Sequence, residues 1–271
     1  MPIGGLANRF NAITSAIAFC KDYNIKLKVL WFKDKGMGAD FHSLFDLSED
    51  AEKLDIEIVD AKWHHYVYDR PRKRNFWIPY IFQIFLFERR SYEKDIVSLG
   101  NSFDKILNIL TQHNNVYLVH CSPFYMNNLN DIILKRDIRK RVEEVTSVFS
   151  GKKMIGIHVR RTDNIISIKN SPLELFIKEM DKELASNENT FFYVASDSLE
   201  EKNRLIARYK ERIITSFEQP QRDTCKGIVD ALVELHALSK TEKIYGSSYS
   251  TFSNLAAQLG DIQLKVLSLE S

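Results

Sequence analysis

The residues best suited to chemistry lie in one short stretch, residues 154–163, which reads MIGIHVRRTD. Its first half has the apolar alternation of a short strand, and His158, Arg160 and Arg161 follow at the strand's carboxyl end. Adjacent guanidinium groups lose hydration when they are buried, unless a phosphate or carboxylate meets them. The stretch therefore predicts an anion site. The alternative is a solvated turn in which Asp163 pairs with Arg161.

Further polar side chains follow the other strands that the sequence predicts in this half of the chain. Ser196 and Asp197 follow one strand, and a serine-rich loop follows another, with Ser247, Ser248, Ser250 and Thr251. In a parallel sheet such loops meet at one edge. Arginines, hydroxyl groups before a helix and a carboxylate are suited to a nucleoside diphosphate.

Asp230 lies on a predicted helix beside apolar neighbours. A carboxylate in such a place needs a hydrogen-bond donor, and the two N–H donors of a guanine edge would serve. The alternative is an ordinary exposed helix residue. No DxD sequence or cluster of His, Asp and Glu is apparent, which points away from a metal-dependent transferase.

The elements that must position these residues alternate between strand and helix. In the second half the pattern predicts strands at 153–159, 190–195, 212–215, 243–245 and 263–267, with helices from 171, from 198, at 224–238 and at 252–259. Residues 162–170 are expected to form a loop, and Ser171 and Ser198 to cap the helices that follow them. Strict alternation predicts a parallel, doubly wound sheet.

The first half opens with a glycine loop, Gly4-Gly5, that leads into a helix ending near residue 24. Strands are expected at 26–32, 55–59 and 116–120, and helices at 102–113 and 138–149. Gly151 follows the last of these helices and is expected to act as its C-cap. We therefore expect an α/β protein with two domains, residues 1–150 and residues 151–271.

The whole-chain composition excludes several classes of protein. The 271 residues are 44% hydrophobic and 27% charged, with a formal net charge of +2, so nothing indicates a nucleic-acid partner. The three cysteines are scattered, which favours a reducing compartment over a disulfide framework or a zinc site. We expect a cytoplasmic protein.

The longest apolar run, FWIPYIFQIFLF at residues 76–87, is too short to cross a membrane. Basic side chains flank both of its ends. We expect a buried helix or strand with solvated basic ends. The alternative is peripheral contact with an anionic membrane face through residues 70–90.

Three blocks of the sequence resemble the GDP-fucose-dependent fucosyltransferases of the α1,2, α1,6 and protein O-fucose superfamily, including the bacterial nodulation branch. They are GGLANRF, IGIHVRRTD, and the region from FFYVASD through RDTCKGIVDALVELHALS to GSSYSTFSNLA. The resemblance implies a GT-B fold with two Rossmann-like domains facing a cleft. It also implies inverting transfer of fucose from GDP-fucose to an oligosaccharide or polysaccharide acceptor, without a metal or other cofactor.

The resemblance also implies site residues. Arg160 would bind the β-phosphate and act as the catalytic cation, and Arg161 would support it. His158 and Asp230 would contact the nucleoside. The other donor-binding residues implied by the match are Asn8, Arg9, Asp197, Ser248, Ser250 and Thr251.

The chain departs from the family pattern in three ways. Asn164 and Ile168 stand where the core α1,6 enzymes have a lysine and a glutamate, and the strand that usually precedes the glycine loop is missing. The catalytic base is therefore unassigned, with Glu174, Asp40 and Asp69 as candidates. The alternatives are a GT-B transferase that uses another nucleotide sugar and a non-catalytic nucleotide or glycan binder.

Overall fold

The computed structural model describes residues 1–99, 102–162, 165–218 and 221–269. The chain forms these helices and strands, in order: α1 (Leu6–Tyr23), β1 (Leu27–Trp31), β2 (Phe45–Leu47), α2 (Glu49–Glu52), β3 (Ile56–Asp60), α3 (Ile78–Leu86), β4 (Arg89–Ser91), α4 (Glu93–Ser98), α5 (Phe103–Thr111), β5 (Val116–Leu118), β6 (Ile132–Leu134), α6 (Arg136–Thr146), β7 (Lys153–Val159), α7 (Ile165–Asn170), α8 (Leu173–Ser186), β8 (Thr190–Ser196), α9 (Leu199–Tyr209), β9 (Ile213–Thr215), α10 (Cys225–Leu238), β10 (Lys243–Ser247), α11 (Thr251–Gly260) and β11 (Gln263–Leu267).

The contacts within the chain define two compact units. Unit 1 comprises Met1–Lys135 with Asp223–Cys225, and unit 2 comprises Arg136–Arg222 with Lys226–Ser271. Helix α6, expected before the domain junction, is grouped with unit 2. Its buried side chains, Ile138 and Val142, account for the apolar stripe of this otherwise charged helix.

Unit 2 is built on a five-stranded parallel sheet in the order β11-β10-β7-β8-β9. The predicted parallel, doubly wound sheet is therefore confirmed. The central strand, β7, is buried from Met154 to Val159. Helix α10 ends against this strand: a Cβ atom on Gly156 would lie 2.8 Å from Thr241 Oγ1 and 3.0 Å from Leu238 Cδ2, so this close packing requires glycine.

Two local predictions for unit 2 are wrong. Part of the predicted loop at 162–170 is the helix α7, whose Ser167 is buried. Ser171 does not cap α8, because its hydroxyl group donates to the Leu267 carbonyl at 2.6 Å, and Pro172 occupies the N-cap position. Ser198 caps α9 as predicted, accepting a hydrogen bond from the Glu201 backbone N–H.

The described residues of unit 1 form three small sheets. The pairs β1–β3 and β4–β5 are parallel, and β2–β6 is antiparallel. Helix α1 is buried along most of its length, which explains why its sequence is apolar on several faces. The glycine loop immediately precedes this helix, as the sequence predicts.

Pro2 forms an isolated parallel bridge with His120, just beyond β5. The amino group of Met1 donates to the Leu118 carbonyl at 2.8 Å, and burial lowers the pKa of this amino group to about 5. A cavity of about 530 Å³ adjoins these residues and is lined by parts of α1, β1 and β5.

The expectation that residues 76–87 are buried is wrong. In helix α3 only Pro79 and Gln83 are buried, while the large apolar side chains of residues 76–86 are exposed by 39% to 83%. Gln83 points inward because its side chain forms hydrogen bonds with the backbone of Val67 and Asp69. Among the described residues, no helix is long and apolar enough to cross a membrane.

Candidate functional site

The candidate site lies at the carboxyl edge of the unit 2 sheet. The chain leaves β7 in one direction to form β8 and β9, and it later forms β10 and β11 on the other side. The loops after β7 and β10 therefore diverge at a topological switch point, where open α/β sheets bind ligands. The HVRR stretch and the serine-rich loop are the two segments that leave these strands.

His158, near the carboxyl end of β7, contacts the serine-rich loop and the first turn of α11. It is 7% exposed, its ring stacks on Phe252 with 4.9 Å between ring centroids, and its Nδ1 lies 3.4 Å from Ser250 Oγ. Burial lowers the pKa of His158 to about 4, and the nearby positive charge of Arg160 acts in the same direction. The imidazole is therefore neutral at neutral pH and can both donate and accept a hydrogen bond.

Arg160 is joined to the serine-rich loop through its backbone. Its N–H donates to Ser247 Oγ at 3.0 Å, and that hydroxyl group lies 3.3 Å from the His158 carbonyl oxygen. This link fixes the point at which the chain leaves β7. Arg160 is half-buried and lies at the carboxyl edge of the sheet.

The serine-rich loop is itself rigidly held. The Ser248 N–H donates to Ser171 Oγ at 2.9 Å, and Ser248 and Ser250 are both buried. Between them, Tyr249 has a left-handed backbone conformation, with φ of 54°, and its side chain is 64% exposed. Thr251 is exposed and begins α11. The loop therefore presents hydroxyl groups immediately before a ten-residue helix, a place that favours anions.

Arg161 and Asp197 shape the loop that follows β7. The Asp197 carboxylate accepts hydrogen bonds from the backbone N–H groups of Arg161 and Thr162, at 2.6 and 3.2 Å, and from the Thr162 hydroxyl group. The Arg161 side chain pairs with Glu201, with 2.7 Å between Nε and Oε1. These contacts hold the loop after β7 in place. The alternative expected from the sequence is a solvated turn in which Asp163 pairs with Arg161. Asp163 lies outside the described part of the chain.

Asp230 lies within a group of charges on α10. One of its carboxylate oxygens accepts from Arg141 at 2.6 Å and the other from Lys226 at 3.1 Å. Its side chain is 12% exposed, so it is not an ordinary exposed helix residue. A carboxylate oxygen can accept more than one hydrogen bond, and Asp230 therefore retains capacity for a further donor.

One turn further along α10, Glu234 pairs with Lys202 of α9. The Lys202 side chain is 1% exposed, and its ammonium group also donates to the Ser216 carbonyl at 2.9 Å. Burial raises the pKa of Glu234, while Lys202 acts against that rise. This buried ion pair joins the two helices that carry Glu201 and Asp230.

Asn8 and Arg9 belong to unit 1. Arg9 is 1% exposed: its Nε donates to the Gly4 carbonyl at 2.9 Å, its Nη2 pairs with Asp34 at 2.9 Å, and its guanidinium group lies over the Trp31 ring. Burial lowers the pKa of Arg9 to about 10. Arg9 therefore holds the glycine loop in place. Asn8 Oδ1 is buried without a hydrogen-bond partner among the described residues.

Several contributors were not identified from the sequence. Glu201 and Phe252 are covered by the sequence-based expectations only as residues of two predicted helices, the one from 198 and the one at 252–259. Arg222, which lies 3.4 Å from Asp197, and Arg141, which pairs with Asp230, carried no local signal at all, because their partners are distant in sequence. A glutamate three residues after an N-cap serine, or an aromatic residue after a serine-rich loop, is the kind of signal that could have suggested Glu201 and Phe252.

The described residues contain no cluster of three or more His, Cys, Asp and Glu side chains that could hold a metal ion. The candidate catalytic bases are all paired: Glu174 with Arg204, Asp40 with Lys33, and Asp69 with Arg72. The geometry therefore selects none of the three as a base.

The fold is that of an α/β protein with a parallel, doubly wound sheet, and charged and hydroxyl side chains lie at one edge of that sheet. No protein-family model and no curated protein matches the chain. Solved structures do. NodZ α-1,6-fucosyltransferase co-crystallised with GDP matches with a TM-score of 0.62 and 19% identity, over 94% of this chain and 89% of that chain.

Fucosyltransferase NodZ from Bradyrhizobium matches with a TM-score of 0.62 and 16% identity, over 94% of this chain and 90% of that chain. POFUT1 in complex with GDP-fucose matches with a TM-score of 0.59 and 14% identity, over 98% of this chain and 95% of that chain. The α/β, GT-B fold class expected from the resemblance is confirmed. The resemblance to the GDP-fucose fucosyltransferases is also confirmed at the level of the fold.

Proposed function

We propose that the protein is an inverting, metal-independent fucosyltransferase that moves fucose from GDP-fucose to a glycan acceptor. The proposal rests on one observation: His158 and Arg160 both form hydrogen-bond contacts with the serine-rich loop at the switch point of the unit 2 sheet. The fold likeness to NodZ, solved with GDP and soaked with GDP-fucose, supports this donor class.

In this proposal the donor diphosphate lies at the carboxyl edge of β7 and β10. Arg160 binds the β-phosphate, and the hydroxyl groups of Ser248, Ser250 and Thr251 face the phosphates at the start of α11. Since guanidinium groups bind phosphate oxygens in a bidentate manner, Arg160 supplies both charge and orientation. Arg161 and Asp197 hold the loop that carries Arg160.

The nucleoside is assigned to His158 and Asp230. The neutral imidazole offers one donor and one acceptor, and the Asp230 carboxylate offers acceptors that match the paired N–H donors of guanine. Uracil has only one such N–H donor, so this pairing would favour GDP over UDP. Asn8 and Arg9 remain donor-binding assignments from the sequence resemblance, with Arg9 acting through the glycine loop.

The chemical step is a displacement at the anomeric carbon. The acceptor hydroxyl oxygen forms the new bond as the bond to the β-phosphate oxygen breaks, and GDP leaves with that electron pair. Negative charge grows on the leaving diphosphate, and a preorganised cation such as Arg160 stabilises it without a metal. The proton of the acceptor hydroxyl group passes to a base that this proposal does not assign.

Calorimetric titration with GDP, UDP and GDP-fucose, without added metal, tests the donor assignment. We expect GDP and GDP-fucose to bind and UDP to bind at least tenfold more weakly, because the guanine contact is lost. Equal binding of UDP and GDP would support a GT-B transferase of another nucleotide sugar, which is the second candidate.

Donor turnover separates an enzyme from a non-catalytic binder. Ile168 stands where the core α1,6 enzymes have a glutamate, which favours a binder. We expect slow release of fucose from GDP-fucose in water and faster release with a suitable glycan acceptor. GDP binding without any release of fucose, over a broad acceptor panel, would support the non-catalytic alternative.

A further inference from the structure

We propose that helix α3 docks the protein on an anionic lipid membrane, with its apolar side lying in the interfacial layer. The docking surface consists of the large apolar side chains of residues 76–86 together with the exposed basic side chains Lys73, Arg74 and Arg89. The proposal does not depend on the assignment of the donor or the acceptor.

Helix α3 is inverted relative to an ordinary surface helix. Its buried face carries Gln83, which is 0% exposed, whereas Phe76 is 80% exposed and Phe85 is 83% exposed. Surface helices of soluble proteins bury their apolar stripe and expose polar side chains. Contiguous apolar surface of this kind marks a protein or membrane interaction site.

Hydrogen bonds hold the helix in this orientation. Gln83 Nε2 donates to the carbonyl oxygens of Val67 and Asp69, at 3.0 and 2.8 Å, and Gln83 Oε1 accepts from the Tyr92 hydroxyl group at 2.9 Å. Rotating α3 to bury its apolar face would break all three bonds within unit 1. The apolar face is therefore a stable feature of the surface.

The turn before α3 also directs aromatic side chains outward. Phe76 and Trp77 have consecutive left-handed backbone conformations, with φ of 53° and 60°. Bulky residues rarely adopt this conformation, and such strain is concentrated at functional sites. Trp77 and Tyr80, which are 53% and 41% exposed, belong to the two residue types that are enriched at membrane interfaces.

The charges identify the occupant as an anionic lipid surface. Lys73 and Arg74 precede the helix, Arg89 follows it, and all three are exposed. Basic groups around an apolar helix face are typical of helices that lie on anionic membranes. A symmetric contact between two copies through this face would bring both basic sets together, and their repulsion disfavours it.

The length of the helix determines how it would lie. Nine residues extend about 13 Å, far short of the roughly 30 Å hydrocarbon core. The helix therefore lies parallel to the membrane plane, with its apolar side chains among the headgroups and upper acyl chains. Gln83 remains on the protein side.

Vesicle flotation of the full chain tests the proposal. We expect binding to vesicles that contain phosphatidylglycerol, at least tenfold weaker binding to pure phosphatidylcholine, and a loss of binding as salt concentration rises. The double variant Ile81→Ser/Phe85→Ser should reduce binding to anionic vesicles at least tenfold, because it removes apolar contacts. The variant Lys73→Gln/Arg74→Gln should remove most of the preference for anionic lipid.

Matched controls separate docking from misfolding. Val97→Ser changes an exposed apolar residue of α4 in the same unit, and we expect it to bind vesicles like the unchanged chain. The thermal unfolding of Ile81→Ser/Phe85→Ser should match that of Val97→Ser, since the replaced side chains are exposed. Unchanged vesicle binding by Ile81→Ser/Phe85→Ser would overturn the proposal.

Two further outcomes also overturn it. The first is no binding of the unchanged chain to anionic vesicles. The second is a dimer in sedimentation velocity that Ile81→Ser/Phe85→Ser converts to a monomer, without vesicle binding; α3 would then be an interface between two copies of the chain.

Discussion

The buried pair between Lys202 and Glu234 gives the sharpest prediction for stability. Replacing Lys202 by methionine keeps the volume and removes the charge, so the Glu234 carboxylate loses the ammonium group that lies 2.7 Å away. The Ser216 carbonyl also loses a donor. Because an unpaired buried charge is expensive, we expect the free energy of unfolding to fall by about 3 to 5 kcal/mol.

A second replacement recovers much of this loss. In Lys202→Met/Glu234→Leu no charge is left without its partner, and an apolar pair of similar volume can be as stable as the ion pair. The remaining loss is then the one hydrogen bond to the Ser216 carbonyl, about 1 kcal/mol. The double variant should therefore be more stable than Lys202→Met alone.

Differential scanning calorimetry is the assay, because it resolves the unfolding of two units better than a single spectroscopic signal. For a unit of this size, 3 to 5 kcal/mol corresponds to a decrease in Tm of about 11 to 18 °C. Lys182→Met, at an exposed lysine that also pairs with a glutamate, is the control and should change the Tm by no more than about 2 °C. A double variant less stable than Lys202→Met would refute this account of the pair.

Three further predictions concern pH, packing and positioning. Burial lowers the pKa of His236 to about 4, so the unfolded chain binds a proton that the folded chain does not between about pH 6.5 and pH 4. The free energy of unfolding should therefore decrease as the pH falls through that range, and His236 should contribute at most about 3 kcal/mol to the decrease. In urea titrations over the same range, His236→Gln should show a smaller decrease in the free energy of unfolding. Gly227→Ala should lower the free energy of unfolding by about 1 to 3 kcal/mol, because the added Cβ atom would lie 1.8 Å from the Gln221 carbonyl oxygen. Gly5→Ala is the control, since a Cβ atom at Gly5 would meet no other atom within 4 Å. A Gly227→Ala variant as stable as Gly5→Ala would contradict this prediction. Glu201→Gln should weaken GDP binding roughly tenfold, because it releases the Arg161 side chain. Arg204→Gln is the control and should leave the affinity for GDP unchanged. Equal affinities of the two variants for GDP, measured by calorimetry, would contradict a positioning role for Glu201.

The secondary structure of unit 2 was largely predictable from the sequence. The predicted strands at 153–159 and 263–267 match β7 and β11, because apolar and β-branched runs between turn residues carry a strong local signal. Ser171 shows the limit of such signals: its sequence fits an N-cap, but its hydroxyl group instead bonds the Leu267 carbonyl and the Ser248 N–H. Hydrogen bonds to residues distant in sequence therefore override the local N-cap signal at Ser171.

Residues 76–87 show the same limit for burial. Hydrophobicity alone predicted a core segment, yet Gln83 and its hydrogen bonds turn the helix so that its apolar side faces outward. For the site, the sequence identified the segments that meet at the sheet edge but not the contacts of Arg161 with Glu201 or of Asp230 with Arg141. Those contacts join residues far apart in sequence, and no local pattern encodes them.

The most direct test of the central claim is calorimetric titration of GDP, without added metal, into the unchanged chain, Arg160→Ala and the control Arg139→Ala. Arg139 is exposed on α6, so its replacement should leave the affinity for GDP unchanged. We predict that Arg160→Ala keeps the thermal stability of the fold and loses at least tenfold in GDP affinity, since charge-assisted hydrogen bonds to phosphate are lost. An Arg160→Ala variant that binds GDP as tightly as the unchanged chain would contradict the assignment of the site.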